Sequence, residues 1–510
     1  EGETYVQSST QHYDLDFDGM YAPAVVLDFG RVITARSRIC LEGVAGGMVD
    51  IGYAERLIDG RFNIALEGEF ADRYTMKGGM EVFECFNWKA FRYLKLRFRY
   101  CPEPVTVHSV QGVISTYPYE ENGAFESDDR TLNAVFDICR STVRLCSNEF
   151  LMDTPWREQA QWLGDVALVT VPAVHSCFGD TALTRKFFIQ AGQNQHPTGM
   201  LANISNTAGK DWKGCIPDYS LWWIQGLRDE YLYTGNEEFL QRMYPRAQRI
   251  IDAHLEYLND DCLIQDMPYW VLIDWADTEK RGVGSAYNAI FYSALKSLRE
   301  LAEFRNDEVT TDLIRELQAG IEANFHNTLF DASRGCYADA NIDGEFSDKV
   351  SEHGNMTPIY AGLCDEQQAR DVISRVFEAE AELTFTEAQP FYMGVVLPAL
   401  RRAGRFDLLV GGDVVRDILS ALRLYPYRVG NHRLVSANQD VAGFGLAQGA
   451  PVRGERAFGL QAFRFCLLDD LALVAVALSF AGVCHCVSTA PIIIEAKRAN
   501  PTAETPSAPK

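Results

Sequence analysis

Positive charge is scarce in this chain. Its 47 Lys and Arg stand against 70 Asp and Glu, for a formal net charge of −23. Phosphate backbones are bound by clustered Lys and Arg, so no nucleic-acid partner is expected, and an anionic membrane surface is disfavoured for the same reason. A neutral sugar is indifferent to this acidity. Zinc spacing is also missing. Thirteen cysteines are scattered without a C-x-x-C pair, and Cys484 and Cys486 are the nearest neighbours. An odd, unpatterned count fits free thiols in a reducing compartment better than a disulfide framework, and the expected location is cytoplasmic. No metal and no cofactor is expected. The start, Glu1-Gly2-Glu3-Thr4, has neither Met nor the apolar core of a signal peptide, and reads as a fragment or a processed chain. No internal repeat is visible. What the chain does have is bulk: 510 residues, 47% hydrophobic and 12% aromatic, enough for two or three domains with a large core.

Two rhythms divide it. Up to about residue 120 the period is two: Leu94, Leu96, Phe98 and Tyr100 alternate with Lys95, Arg97 and Arg99, and Val105 and Val107 with Thr106 and His108. Gly and Asp clusters such as Asp16-Phe17-Asp18-Gly19 and Asp59-Gly60 punctuate the segment, as in an antiparallel sandwich. From Leu132 the period becomes helical, through Val135, Phe136, Cys139, Val143, Cys146 and Phe150. Helical patterns then cover roughly 165–177, 181–194, 218–234, 237–258, 286–304, 308–324, 366–379 and 390–403, with only loops between them. Many antiparallel helices suggest an α/α barrel or a solenoid, and periodicity does not choose between the two. The expected division is a β-sandwich over 1–120, a linker helix over 121–152, a helical catalytic domain over 153–407 and an atypical segment over 408–510.

The densest chemistry lies in Asp153-Thr154-Pro155-Trp156-Arg157-Glu158-Gln159-Ala160-Gln161-Trp162-Leu163-Gly164-Asp165. Three carboxylates, one guanidinium and two indoles are costly to bury without partners. They suit a sugar site, where carboxylates move protons and bind hydroxyls and indole faces stack on C–H surfaces. Glycoside hydrolysis needs one protonated carboxyl beside the leaving oxygen and a second carboxylate opposite. Glu158 is the candidate acid: Asp153 and Asp165 push its pKa up by like-charge repulsion and Arg157 opposes them. The bland alternative is a solvated ion-pair face at a helix start, with the tryptophans in the core.

This run resembles the signature of the bacterial-type α-L-rhamnosidases, roughly D-C-P-x-R-E-x-x-x-W-x-G-D. Asp153, Pro155, Arg157, Glu158, Trp162, Gly164 and Asp165 match, and Thr154 replaces the Cys. The resemblance implies an inverting glycosidase of family 78 that releases terminal α-L-rhamnose, with a β-sandwich before an (α/α)6 toroid. It implies Glu158 as general acid, Asp153 and Asp165 as holders of sugar hydroxyls, and Arg157 and Trp162 as lining of the subsite. Further matches are Ile216-Pro217-Asp218-Tyr219 with Trp222-Trp223, and Ile273-Asp274-Trp275, similar to the family's G-D-W loop with Ile in place of Gly. That implies stacking of Trp275 on the sugar with Asp274 beside it; Trp223 reads better as core. Lys210-Asp211-Trp212 is a weaker Asp-Trp pair. Upstream, Asp28-Phe29-Gly30, Ile51-Gly52-Tyr53-Ala54-Glu55, Phe86-Asn87-Trp88 and Phe91-Arg92-Tyr93 are similar to the family's sandwich.

The pattern breaks after about residue 405. The family's second carboxylate is a Glu in an aromatic segment expected near 415–445. Here that segment reads Leu424-Tyr425-Pro426-Tyr427-Arg428-Val429-Gly430-Asn431-His432 and holds no Glu. Asp440 is the carboxylate that follows it, Glu455 lies farther on and Glu387 comes early. Leu471 to Ile494 then runs 24 residues without a formal charge. A membrane span, a buried helix and an aberrant C-terminus compete for it, and the last is favoured. Three functions follow: a rhamnosidase or an impaired copy of one, an α/α-toroid glycosidase for another sugar, or a carbohydrate-binding homologue without turnover.

Overall fold

The computed structural model describes residues 5–7, 14–15, 21–58, 60–62, 70–128, 130–205, 214–378, 383–405, 408 and 492–493. Contacts divide the chain into two compact units. The first is Glu1–Pro118 with Val143–Trp162 and Asn206–Lys210; the second is Tyr119–Thr142 with Leu163–Ser205 and Asp211–Lys510. Residues 153–162, expected at the start of the helical domain, thus pack within the first unit.

The first unit is a seven-stranded antiparallel sheet built around one long strand, Ala24–Gly43. Its first half pairs with Tyr5–Gln7 and Lys89–Arg99, and its second half with Thr106–Ile114 and Gly79–Glu84. Lys89–Arg99 pairs onward with Met48–Ala54, which pairs with Ala71–Thr75. The expected alternation puts Leu94 and Leu96 in the core with Val49, Ile51, Tyr53 and Phe91. A bulge explains two upstream motifs. The ladder passes from Phe91 opposite Ile33 to Tyr93 opposite Asp28, so Arg92 alone faces the segment 29–32. Gly30 turns there with φ +78°. The Asp28 carboxylate accepts from Gly30 N at 2.7 Å and from Arg92 Nε and Nη2 at 2.8 and 2.9 Å. Burial raises the Asp28 pKa, but these donors outweigh it and hold the carboxyl below its ordinary value.

The helices are α1 (Arg130–Leu145), α2 (Val171–Cys177), α3 (Ala182–Gln193), α4 (Pro217–Thr234), α5 (Glu237–Leu255), α6 (Ser285–Phe304), α7 (Glu308–Leu329), α8 (Glu352–Ala361), α9 (Glu366–Phe377) and α10 (Met393–Arg402). α1 stops at Leu145 instead of running to Phe150. Ser147 turns back to bridge Leu151, while the buried Val143 and Cys146 keep helical spacing across the break. In the second unit α4 packs on α6, α6 on α8 and α8 on α10. α3 and α5 pack on α4, α7 on α6 and α9 on α8. Even helices therefore line an inner ring and odd helices an outer one, the order of an α/α toroid. Inner helices are buried all round: Leu221, Trp222, Trp223 and Ile224 are consecutive and all buried.

Short strands correct the expectation of helices and loops alone. Phe330–Asp331 pairs with Cys336–Tyr337, and Ala340–Ile342 pairs with Val283–Gly284 and Glu345–Phe346. Their turns carry Gly335 and Gly344 at φ +68° and +89°. Of the segment 408–510, only Leu408 and Ile492–Ile493 lie among the described residues, the latter paired with Glu126–Ser127. No helix among the described residues is long and apolar enough to cross a membrane. Every described cysteine is a free thiol.

Candidate active site

In the first unit the acidic-aromatic run forms a closed loop, with turns over residues 155–158. Asp153 closes it: its N–H donates to Ala160 O at 2.9 Å, and its Oδ1 accepts from Ala160 N at 2.9 Å. Pro155 fixes the first bend, and Trp156 N donates to Thr154 Oγ1 at 3.4 Å. Gln159 adopts φ +52°, and its side chain donates to Pro155 O at 3.0 Å. Both indoles are buried, at 5% and 9% exposed for Trp156 and Trp162, but their partners differ. Trp156 is 5% exposed and stacks on Phe70 at 3.8 Å, so it is core and not a sugar platform. Trp162 donates its indole N–H to Glu158 Oε2 at 2.6 Å, while Arg157 donates to Glu158 Oε1. Of the bland reading, the Arg157–Glu158 ion pair and two buried indoles are present, but the pair sits on turns and not on a helix start, and Trp162 and Arg157 donate to different oxygens of Glu158.

In the second unit Asp165 begins a single π-helical turn, Asp165–Thr170, that leads into α2. Such turns recur at functional sites because they redirect side chains. Asp165 Oδ2 accepts from Tyr219 OH at 2.9 Å. Burial, then the Asp165 charge, pushes the Tyr219 phenol well above its ordinary pKa. Gly164 makes the approach possible: a Cβ there would lie 2.3 Å from the Tyr219 ring.

Asp218, in the first turn of α4, is buried and accepts from Leu272 N at 3.1 Å and Ile273 N at 3.0 Å. Burial pushes its pKa up to about 6, against the pull of those two N–H groups. These bonds pin Ile273 at φ +57°, a strained position for a β-branched residue where the family pattern has Gly. Asp274 is buried as well. Its Oδ2 accepts from His353 Nε2 and Gln389 N, both at 2.8 Å, and its Oδ1 from Trp275 N at 2.8 Å. Both oxygens being engaged, Asp274 holds Trp275 in place. Trp275 itself is 70% exposed, and Trp270 beside it is 47% exposed. A cavity of ≈ 20 Å³, lined by Val271, Ile273, Lys280, Tyr287 and Asp339 among others, has room for a water.

Trp222 and Trp223 are core, at 1% and 0% exposed. Trp270 and His353 are residues the sequence did not single out, and Tyr219 stood in a matched run without a role. Trp270 follows a Pro-Tyr pair and carries no motif, and His353 sits in α8, which has no amphipathic signal. Glu387 is exposed. Lys210-Asp211-Trp212, Asp440, Glu455 and the 415–445 segment lie outside the described residues.

An antiparallel sheet unit and an α/α toroid, with a carboxylate-indole loop in the chain between them, define the six-hairpin class of glycosidase architecture. Residues 120–388, more than half of the chain, match the bacterial alpha-L-rhamnosidase 6 hairpin glycosidase domain, and residues 20–114 match the bacterial alpha-L-rhamnosidase concanavalin-like domain. The chain belongs to the bacterial α-L-rhamnosidase family. Solved structures share the fold. A glycoside hydrolase family 78 rhamnosidase of Bacillus sp. GL1 matches 83% of this chain at 25% identity with a TM-score of 0.71. The rhamnosidase from Klebsiella oxytoca, solved with rhamnose bound, matches 82% at 17% identity and a TM-score of 0.68. The α-L-rhamnosidase of Streptomyces avermitilis, complexed with L-rhamnose, matches 77% at 20% identity and a TM-score of 0.60. This chain spans 43% of the Bacillus protein, 84% of the Klebsiella protein and 38% of the Streptomyces protein. No curated protein sequence matches it.

Proposed function

We propose that this chain takes terminal α-L-rhamnosides and cleaves them with inversion, Glu158 protonating the leaving oxygen. The observation that carries the reading is the Glu158 carboxylate held by Trp162 at 2.6 Å inside a loop that Asp153 and Ala160 close. A proton donor needs one carboxyl oxygen turned to the substrate. The Arg157 contact is the one that yields, since its guanidinium is long-stemmed and half-exposed. Arg157, Trp162, Asp153 and Asp165 are assigned to the rhamnose hydroxyls and ring, with Trp275 stacking on its C–H face. Asp274, counted with them from the sequence, acts through Trp275 as a positioning residue. The substrate is a rhamnose-bearing glycoside.

The test is hydrolysis of aryl α-L-rhamnosides followed by NMR, where inversion gives β-L-rhamnose first. Glu158→Gln should lose about 10²-fold or more on poor leaving groups and less on activated ones, because a good leaving group needs less protonation. Equal losses on both would assign Glu158 to binding. A second reading, sugar binding without turnover, is favoured by the lack of a Glu in 415–445. It predicts that L-rhamnose raises Tm while no sugar is released.

A further inference from the structure

The second unit displays two tryptophans from one braced loop. Its neck is closed where Gln265 bridges Val283, Asp266 N donates to Gly282 O at 3.0 Å and Gly282 N donates to Asp266 Oδ1 at 2.7 Å. Gly282 has φ +65°, and a Cβ on it would meet Asn341 O at 2.3 Å. Asp218 grips the backbone at 272 and 273, and Asp274 grips it at 275. Tyr269 packs edge-on to Tyr257 at 6.4 Å. Exposing two indoles on so constrained a loop is unfavourable unless something covers them.

Their mutual geometry limits what that is. The Trp270 and Trp275 rings lie 6.0 Å apart with planes inclined by 63°. One flat ring cannot stack on both faces. Two rings joined through a bent linkage can, and an axial glycosidic bond is such a linkage. We infer that Trp270 is a specificity-determining residue that stacks on the apolar face of the ring attached to rhamnose, while Trp275 takes the rhamnose. This rests on the rhamnoside reading above. The ring on Trp270 is an aromatic aglycone or the C–H face of a second pyranose, since both offer the same flat apolar surface. Trp270 and Trp275 also make an edge contact, so the rival role for Trp270 is a prop that keeps Trp275 upright.

Binding separates the two roles. The probes are L-rhamnose, phenyl 1-thio-α-L-rhamnoside and a thio-linked rhamnosyl-glucose, which are not hydrolysed during calorimetry. Trp275→Ala should weaken all three. Trp270→Ala should leave L-rhamnose unchanged and weaken an extended ligand by about 3- to 10-fold, with Trp270→Phe retaining most of the affinity. Loss confined to the phenyl ligand identifies an aromatic aglycone; loss confined to the glucosyl ligand identifies a sugar. Weakening of L-rhamnose as large as that of the extended ligands would establish the prop and overturn the inference. So would unchanged binding of all three ligands. If the wild-type chain bound none of them, the rhamnoside reading itself would fall and take this inference with it. Both side chains are exposed, so the variants should fold, which far-ultraviolet circular dichroism checks.

Discussion

Gly164 and Ile273 are two positions where one neighbour decides what the backbone tolerates. A methyl group at Gly164 would sit 2.3 Å from the Tyr219 ring, whose hydroxyl holds Asp165. Gly164→Ala should therefore displace Tyr219, cost about 1–3 kcal/mol in urea unfolding and weaken rhamnose binding through Asp165. Wild-type stability in that variant would show that the ring swings aside freely. At Ile273 the strain of φ +57° is held by Asp218, which satisfies two adjacent N–H groups. Asp218→Ala orphans both donors, at about 1–3 kcal/mol each, and frees the loop that presents Trp275. The variant should lose stability and lose rhamnose-dependent tryptophan fluorescence change together. Loss of stability with the fluorescence response intact would uncouple Asp218 from the platform.

At the scale of elements, the α5–α6 contact carries a pH dependence of defined sign. His254 on α5 is fully buried against Tyr287 and Phe291 of α6, with Nδ1 bonded to Ile250 O at 2.7 Å. Burial lowers its pKa from 6.5 to about 4, the Ile250 bond opposing. The folded state thus excludes a proton that the unfolded chain binds. Stability is lost as pH falls from about 6.5 towards 4, by up to about 3 kcal/mol. Asp218 has the opposite sign, because its raised pKa favours the folded state below 3.8 and loses that advantage as pH rises through about 6. His254→Phe should remove the His254 slope and leave the Asp218 slope. Denaturation at pH 4.5 and 7 would then show a variant relatively more stable in acid than the wild type; parallel curves would refute the assignment. Legibility does not follow burial alone, since the inner helices α4, α6 and α10 were also readable. α5, α7 and α9 lie on the outer ring and show apolar stripes, so the sequence revealed them. α8 is buried on every side and contains Gly354 and Pro358, so it has neither stripe nor propensity to betray it. The motif loop was legible as residue types in fixed spacing. That Trp156 belongs to the core was not, because its partner Phe70 lies far away in the sequence.

For the whole molecule, the two halves of an inverting mechanism stand on different footing. The proposed acid half, Glu158 with Arg157 and Trp162, includes hydrogen bonds made within a single loop. The base half is expected in a stretch, 415–445, that contains no Glu and follows the family match, which ends at 388. General-base activation of water contributes about 10²–10⁴-fold, so a chain with only the acid half should bind rhamnoside and turn it over slowly. An anionic nucleophile that needs no deprotonation should then bypass the gap. Azide added to the chain with an activated aryl α-L-rhamnoside should raise aryl release by about 10-fold or more and yield the β-rhamnosyl azide, the inverted adduct. Glu158→Gln should still respond, because an activated leaving group needs little acid help, whereas Trp162→Ala should not, because it removes the wall that orients both carboxyl and sugar. Robust hydrolysis without azide, and no adduct with it, would show that Asp440, Glu455 or Glu387 supplies the base.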